Sequence, residues 1–306
     1  MPFWGDQINP QFVPNIANKY MLDGGIEAFD VFPSVSVKSR VGYVADYTLA
    51  DWARIGTVDD YVVAGAVESQ GDDYGVTKLP YYVKKFSFHK DVTEDEANEA
   101  DSPIEPISDA TSFVINRIKR VMLLNIVNTF LVTGVWTDNN QTAAKWNVDT
   151  TNIFKILRDE QLRVLKTTGY RPNRLVVTAD VDNAIKGNTL VTDKIKTTSD
   201  KFATDELIKA ALDLKSYNVI GAINSGATDL IASKMALLSF CPDSPTKMAP
   251  AAGYHITQVA GRGGAMVQTR NIPMLHKNNA LRIEASVYTC PMKIASGLGT
   301  LFYNCL

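Results

Sequence analysis

The sequence predicts an α+β chain organised around one unusually long helix, with extended segments before it and a mixed α/β stretch after it. Three observations carry that prediction. Apolar residues recur at three- and four-residue steps from about residue 108 to 133, and apolar and polar residues partly alternate from Tyr82 to His89. After residue 170, short apolar runs alternate with helical patterns. With 306 residues, 45% of them hydrophobic and 21% charged, the chain can bury one large core or two smaller ones.

Residues 1–33 read as an extended arm, because Pro2, Pro10, Pro14, Pro33 and Gly24-Gly25 interrupt any long helix. Phe3, Trp4, Phe12, Tyr20, Phe29 and Phe32 give the arm large apolar groups that imply a docking surface. From Val35 to Lys90 the pattern is a two-stranded excursion, outward through VSVKSRVGYVADYTLADWAR and back through TKLPYYVKKFSFHKDV. Its tip, near Gly56–Tyr74, is polar and carries Asp59, Asp60, Glu68, Asp72 and Asp73. Asp91–Ala100 reads as a short acidic helix or turn, followed by the breaker Ser102-Pro103-Ile104-Glu105-Pro106. Ser108 or Asp109 then caps the long helix, which Gly134 stops. Its buried stripe is read as Val114, Ile118, Val121, Met122, Ile126 and Phe130, broadened by Ile115, Leu123, Leu124 and Val127. About 25 residues at 1.5 Å each give a rod of roughly 38 Å, with Arg117, Lys119 and Arg120 in its first half.

Trp136–Asp149 reads as a polar connection holding Trp136 and Trp146. An amphipathic helix over Asn152–Thr168 ends at Gly169, and Leu175–Thr178 is a short buried strand. A helix over Thr204–Leu214 and strands over Val219–Ile223 and Met235–Phe240 continue the mixed pattern, and Ala280–Cys305 returns to strands. There are no internal repeats.

The net charge of -2 lacks the basic excess of a free nucleic-acid binder. Its distribution is polar: residues 1–110 balance at -11 and residues 111–306 at +9. That split permits head-to-tail attraction between copies, or equally two solvated faces of one fold. Cys241, Cys290 and Cys305 lack CxxC spacing and read as reduced, buried thiols. No apolar run reaches the ~18–20 residues of a membrane span, and the first residues have no secretion signal, so a soluble cytoplasmic product is expected.

No motif for chemistry emerges. Gly261-Arg262-Gly263-Gly264 fits neither GxGxxG nor a P-loop and reads as a turn. Glu94, Asp95, Glu96, Glu99 and Asp101 lack the ligand spacing of a calcium loop and read as a solvated face. Cys241 with His255 or His276 has no supporting nucleophile motif. No catalytic, cofactor or metal residue is therefore assigned.

The order of these parts resembles the major capsid proteins of tailed double-stranded DNA bacteriophages, a fold shared with encapsulins. The stretch Thr167–Thr198 (TTGYRPNRLVVTADVDNAIKGNTLVTDKIKTT) carries most of the likeness, followed by TDELIKAALDL and YNVIG. VFPSVSV with YVADY, and the acidic run Asp91–Pro106 before the long helix, add to it. The resemblance implies an N-terminal arm over residues 1–40, an extended loop over 41–80 and a peripheral domain over 81–170 with spine helix 108–133. It implies an axial domain over 171–274 and peripheral return strands over 275–306.

The same resemblance implies a non-enzymatic subunit of an icosahedral shell, self-associating as hexamers and pentamers in the virion after assembly in the host bacterial cytoplasm. Expected partners are a separate scaffolding protein, a portal, a cement protein and packaged DNA held non-specifically, with no membrane and no cofactor. Phe3, Trp4, Phe12, Asp59, Asp60, Glu68, Asp72 and Asp73 are then expected at inter-subunit contacts, and Arg117, Lys119 and Arg120 facing DNA. No lysine lies between Lys38 and Lys78, so the lysine–asparagine crosslink of some relatives has no donor in this loop. The competing expectations are an encapsulin-like nanocompartment shell and a cytosolic α/β enzyme.

Overall fold

The computed structural model describes residues 31–47, 76–100, 105–141, 144–196, 204–221, 230–242, 250–258, 267–274, 277 and 279–306. Its strands are β1 (Ser34–Ser36), β2 (Val41–Tyr47), β3 (Val76–Tyr82), β4 (Lys84–Val92), β5 (Asp138–Gln141) and β6 (Arg174–Thr178). Then come β7 (Ser216–Ile220), β8 (Met235–Ser239), β9 (Gly253–Thr257), β10 (Val267–Met274), β11 (Ala280–Lys293) and β12 (Gly299–Tyr303). The helices are α1 (Glu94–Asn98), α2 (Pro106–Phe130), α3 (Ile153–Thr168), α4 (Ala179–Gly187), α5 (Thr189–Lys196) and α6 (Asp205–Ala211).

Helix ends follow local chemistry. Thr93 caps α1 by accepting a hydrogen bond from the Glu96 amide at 3.2 Å. The long helix starts two residues before the expected cap, because Pro106 sits in its first turn, where a proline has no N–H to waste and its fixed φ suits the helix. Asn152 caps α3, and Gly169, at φ +79°, ends it in the left-handed conformation.

Two five-stranded sheets organise the described chain. In the first, β11 pairs antiparallel with β4, β9 and β10, and β1 lies parallel to β9. The alternation read from Tyr82 to His89 is realised in β4: Phe86 and Phe88 turn toward α2, where they meet Val114, Ile118, Met122, Ala285 and Val287. The second sheet runs β5-β12-β8-β6-β7, with α3, α4 and α6 contributing to its core.

The two sheets cut across the boundaries expected at 170/171 and 274/275. β11 belongs with β4, yet β12, six residues further on, pairs with β5 and β8 in the sheet of β6. α3 likewise packs through Phe154 and Leu157 into the core shared by Leu175 and Val177. Trp136 and Trp146, read as parts of a polar connection, are 2% and 0% exposed. Tertiary contacts are the reason: one indole packs against Phe32 and Phe130, the other against Phe302, while the polar residues between them form edge strand β5.

His255 lies in β9, its ring Nε2 hydrogen-bonded to the Thr289 hydroxyl of β11. Burial pushes its pKa down from 6.5 to about 4, so the folded state binds this proton more weakly than the unfolded chain does. The stabilisation is therefore complete above pH 6.5 and disappears as pH falls toward 4, a loss of about 3 kcal/mol. Asp91, held low by its hydrogen bond from Arg282, titrates beneath that window. Urea unfolding of the unassembled chain at pH 7 and pH 4.5 is expected to show this loss, and His255→Gln to remove most of it. An equal slope in both proteins would assign the pH dependence elsewhere.

Candidate assembly surfaces

β2 and β3 form a two-stranded ribbon in the register Val41↔Tyr82 to Tyr47↔Val76. Alternation divides its described side chains cleanly. Val44, Leu79 and Tyr81 pack against the main core, and the Tyr81 ring lies over Gly42, its cross-strand partner, where a Cβ would meet the phenol oxygen at 2.6 Å. The opposite face carries Val41, Tyr43, Pro80 and Tyr82, with Val41, Tyr43 and Tyr82 exposed by 61%, 70% and 54%. Val83, fully buried, anchors the root by donating its amide to the Arg40 carbonyl at 2.8 Å. An isolated ribbon of two strands is marginal in water, and an aromatic outer face makes it more so.

The long helix offers a second apolar surface. Val121 and Leu124, expected in the buried stripe, are 37% and 42% exposed, and Phe113 is 52% exposed. At 100° per residue, Phe113, Arg117, Arg120, Val121 and Leu124 fall within about 100° of arc, opposite Ile115, Met122 and Ile126. The Arg117 guanidinium sits 5.8 Å over the Phe88 ring, and Phe113 packs on the same ring at 5.9 Å.

The expected trio of DNA-facing cations does not share a face. Lys119 is 2% exposed, and burial lowers its pKa, so it is a core residue rather than a surface charge. It falls on the inner side because two residues along a helix turn a side chain through about 200° from Arg117. Arg117 and Arg120 are exposed. Phe3, Trp4, Phe12, Asp59, Asp60, Glu68, Asp72 and Asp73, expected at inter-subunit contacts, lie outside the described residues.

Elsewhere the outer face of the first sheet satisfies its own charges. Arg282 holds Asp91 through two hydrogen bonds of 2.7 and 3.0 Å, and Lys277 adds a third at 2.8 Å; together they keep that carboxyl well below the usual range. Glu284, lowered chiefly by its bond from Ser87, also accepts from Lys85 at 3.2 Å.

Among the described residues, no group of three or more His, Cys, Asp or Glu side chains is placed to hold a metal. Cys241 is fully buried and burial pushes its thiol up to about 11, which leaves very little thiolate at neutral pH. None of the three cysteines is in a disulfide. No described helix is long and apolar enough to cross a membrane.

No family model matches the sequence, and no curated protein matches it. Solved structures do match, over nearly the whole chain. A phage-related protein from Bordetella bronchiseptica superposes with a TM-score of 0.71 at 15% identity, covering 95% of this chain and 96% of that one. The mature capsid of bacteriophage PhiM1 gives 0.52 at 8% identity over 92% and 87%. An encapsulin complex from Synechococcus elongatus gives 0.54 at 12% identity over 94% of each chain. The chain therefore has the tailed-phage capsid fold, which encapsulins share. At such low identity the likeness shows the fold alone, which in the described residues comprises a long helix on one sheet, a second, mixed sheet and a two-stranded ribbon.

Proposed function

We propose that the chain is the major capsid protein of a tailed double-stranded DNA phage, a structural subunit whose function is interface geometry rather than catalysis. Copies associate as hexamers and pentamers of an icosahedral head around packaged DNA, assisted by a separate scaffolding protein and portal, with a cement protein as a further partner. One observation carries the reading: the β2–β3 ribbon presents Val41, Tyr43, Pro80 and Tyr82 on a face that no other described residue covers. In a closed shell, a neighbouring copy covers such a face and gains its apolar area. The polar split of -11 against +9 supports contacts between unlike ends of adjacent copies.

The match to an encapsulin complex supports a second reading, a nanocompartment shell around a protein cargo. Electron microscopy of the chain expressed alone, and then together with a scaffolding protein, separates them. Aberrant or absent shells that become regular heads with scaffold are the expected result for a phage capsid. Small uniform shells from the chain alone would favour the nanocompartment. A stable monomer under both conditions would overturn both.

A further inference from the structure

The exposed face of α2 is spaced like a packing seam. Pro106, Asp109, Phe113, Asn116 and Arg120 follow one another at alternating steps of three and four, the spacing with which one helix packs along another. Leu124 continues the line four residues on. Asp109, Asn116, Arg117 and Arg120 are exposed, as are Phe113 and Leu124, while Pro106 is half-buried. Phe113 is also held in place from within its own chain. Its ring packs on Phe88, which the Arg117 guanidinium covers as well, and 52% of Phe113 remains open.

We propose that this face binds the same face of a second copy, α2 lying antiparallel on α2 across a two-fold axis. Such a contact requires each residue to find its partner at the opposite height and on the same side of the seam. Both conditions hold with the axis midway in height between Val114 and Ile115. Pro106 then meets the second copy's Leu124: the two positions lie about five full turns apart on the helix, so they share one angle. Asp109 meets the second copy's Arg120, about three turns away and within roughly 20° of the same angle. Phe113 sits only about 2 Å in height from the axis, so the two rings pack on each other and carry the Phe88–Phe113 contact across the interface. Charge selects this register. Centring the axis between Phe113 and Leu124 would set Arg117 against the second copy's Arg120, whereas here they stand about 12 Å apart in height. Charge also disfavours nucleic acid as the occupant, since Asp109 on the same line would face phosphate. The inference deepens the reading that copies of the chain associate, and rests on it; a closed icosahedral shell supplies the two-fold axes.

Single cysteines test it in the full-length chain. Asn116→Cys keeps Phe113 and both charges, and the register brings its two copies within about 5 Å of each other in height. Asn128→Cys, also exposed on α2, is the control, because its two copies stand about 40 Å apart in height. The assembled protein is oxidised and run on a denaturing gel without reductant. Asn116→Cys is expected to give a covalent dimer, reversed by reductant, about fivefold more abundant than in Asn128→Cys or in the unaltered chain with its own cysteines. Equal yields would overturn the proposal. Charge exchange in the Asn116→Cys background gives an independent measurement. Asp109→Lys and Arg120→Asp are each expected to cut the dimer several-fold, and the two together to restore most of it. A yield indifferent to Arg120→Asp, in particles that lose retained DNA, would give the face to nucleic acid instead. Electron microscopy of the same samples keeps the two readings apart. Regular shells without dimer above the control would overturn this contact alone, and a chain that never associates would overturn both.

Discussion

Replacing Trp136 with alanine is expected to lower the stability of the folded chain by about 3–5 kcal/mol, the largest single-residue effect the described core offers. Three separate elements meet on this indole. Its ring lies 6.3 Å from both Phe32 and Phe130, within about 25° of parallel, so it joins the root of the arm to the end of the long helix. Its Nε1 donates to the Phe130 carbonyl at 2.7 Å, which satisfies one of the acceptors left open where the helix stops. Its other edge fills the space left by Gly299, where a Cβ would stand 2.4 Å from the ring. Truncation thus opens a cavity, strands a carbonyl and unties β12 from α2 together. Gly299→Ala approaches the same contact from the other side and is expected to cost about 1–3 kcal/mol by overpacking. Chemical denaturation of the unassembled chain measures both; a Trp136→Ala loss below 1 kcal/mol would show that the site collapses and that the indole is not the keystone of this core.

The double variant Tyr43→Asp, Tyr82→Asp is expected to abolish assembly while leaving the fold intact. Both side chains lie on the outward face of the β2–β3 ribbon, so the core below them, at Val44, Leu79 and Tyr81, is untouched. Covering an aromatic side chain at a subunit contact yields roughly 1.5–3 kcal/mol, and a carboxylate there must be desolvated without a partner. A shell repeats that penalty at every copy, so a moderate local cost becomes a near-complete loss of particles. Gel filtration should move the double variant from the particle fraction to that of unassembled subunits, with an unchanged circular dichroism spectrum. Normal yields of intact shells would show that this face does not lie at an interface.

Much of the secondary structure was legible because its signals are local. The three- and four-residue spacing of α2, the glycine after α3 and the apolar run Leu175–Thr178 each needed only near neighbours in sequence. Period also explains the errors. Val121 and Leu124 are apolar and adjoin truly buried residues, but the helical repeat rotates them outward with Arg117, and only the position of the sheet decides which arc is covered. Lys119 is the converse, a charged residue rotated inward. Pro106 looked like a breaker, yet in the first turn of a helix its missing N–H costs nothing.

By itself the sequence determined an α+β chain, its long helix, the two-stranded excursion and the order of parts that resembles a capsid subunit. Those features depend on residue type and short-range spacing, and chain order survives where sequence identity has fallen to 15% or less. Only the tertiary structure decided that β12 leaves the sheet of β11 to lie between β5 and β8, and that Trp136 and Trp146 are core residues. It alone also showed that Tyr43 and Tyr82 share a face that the other described residues leave exposed. Strand partners and burial are set by contacts between residues more than a hundred positions apart, such as Phe32 with Trp136 and Trp136 with Gly299. No local pattern encodes such pairs, because closing a long loop is repaid only when the whole core packs at once.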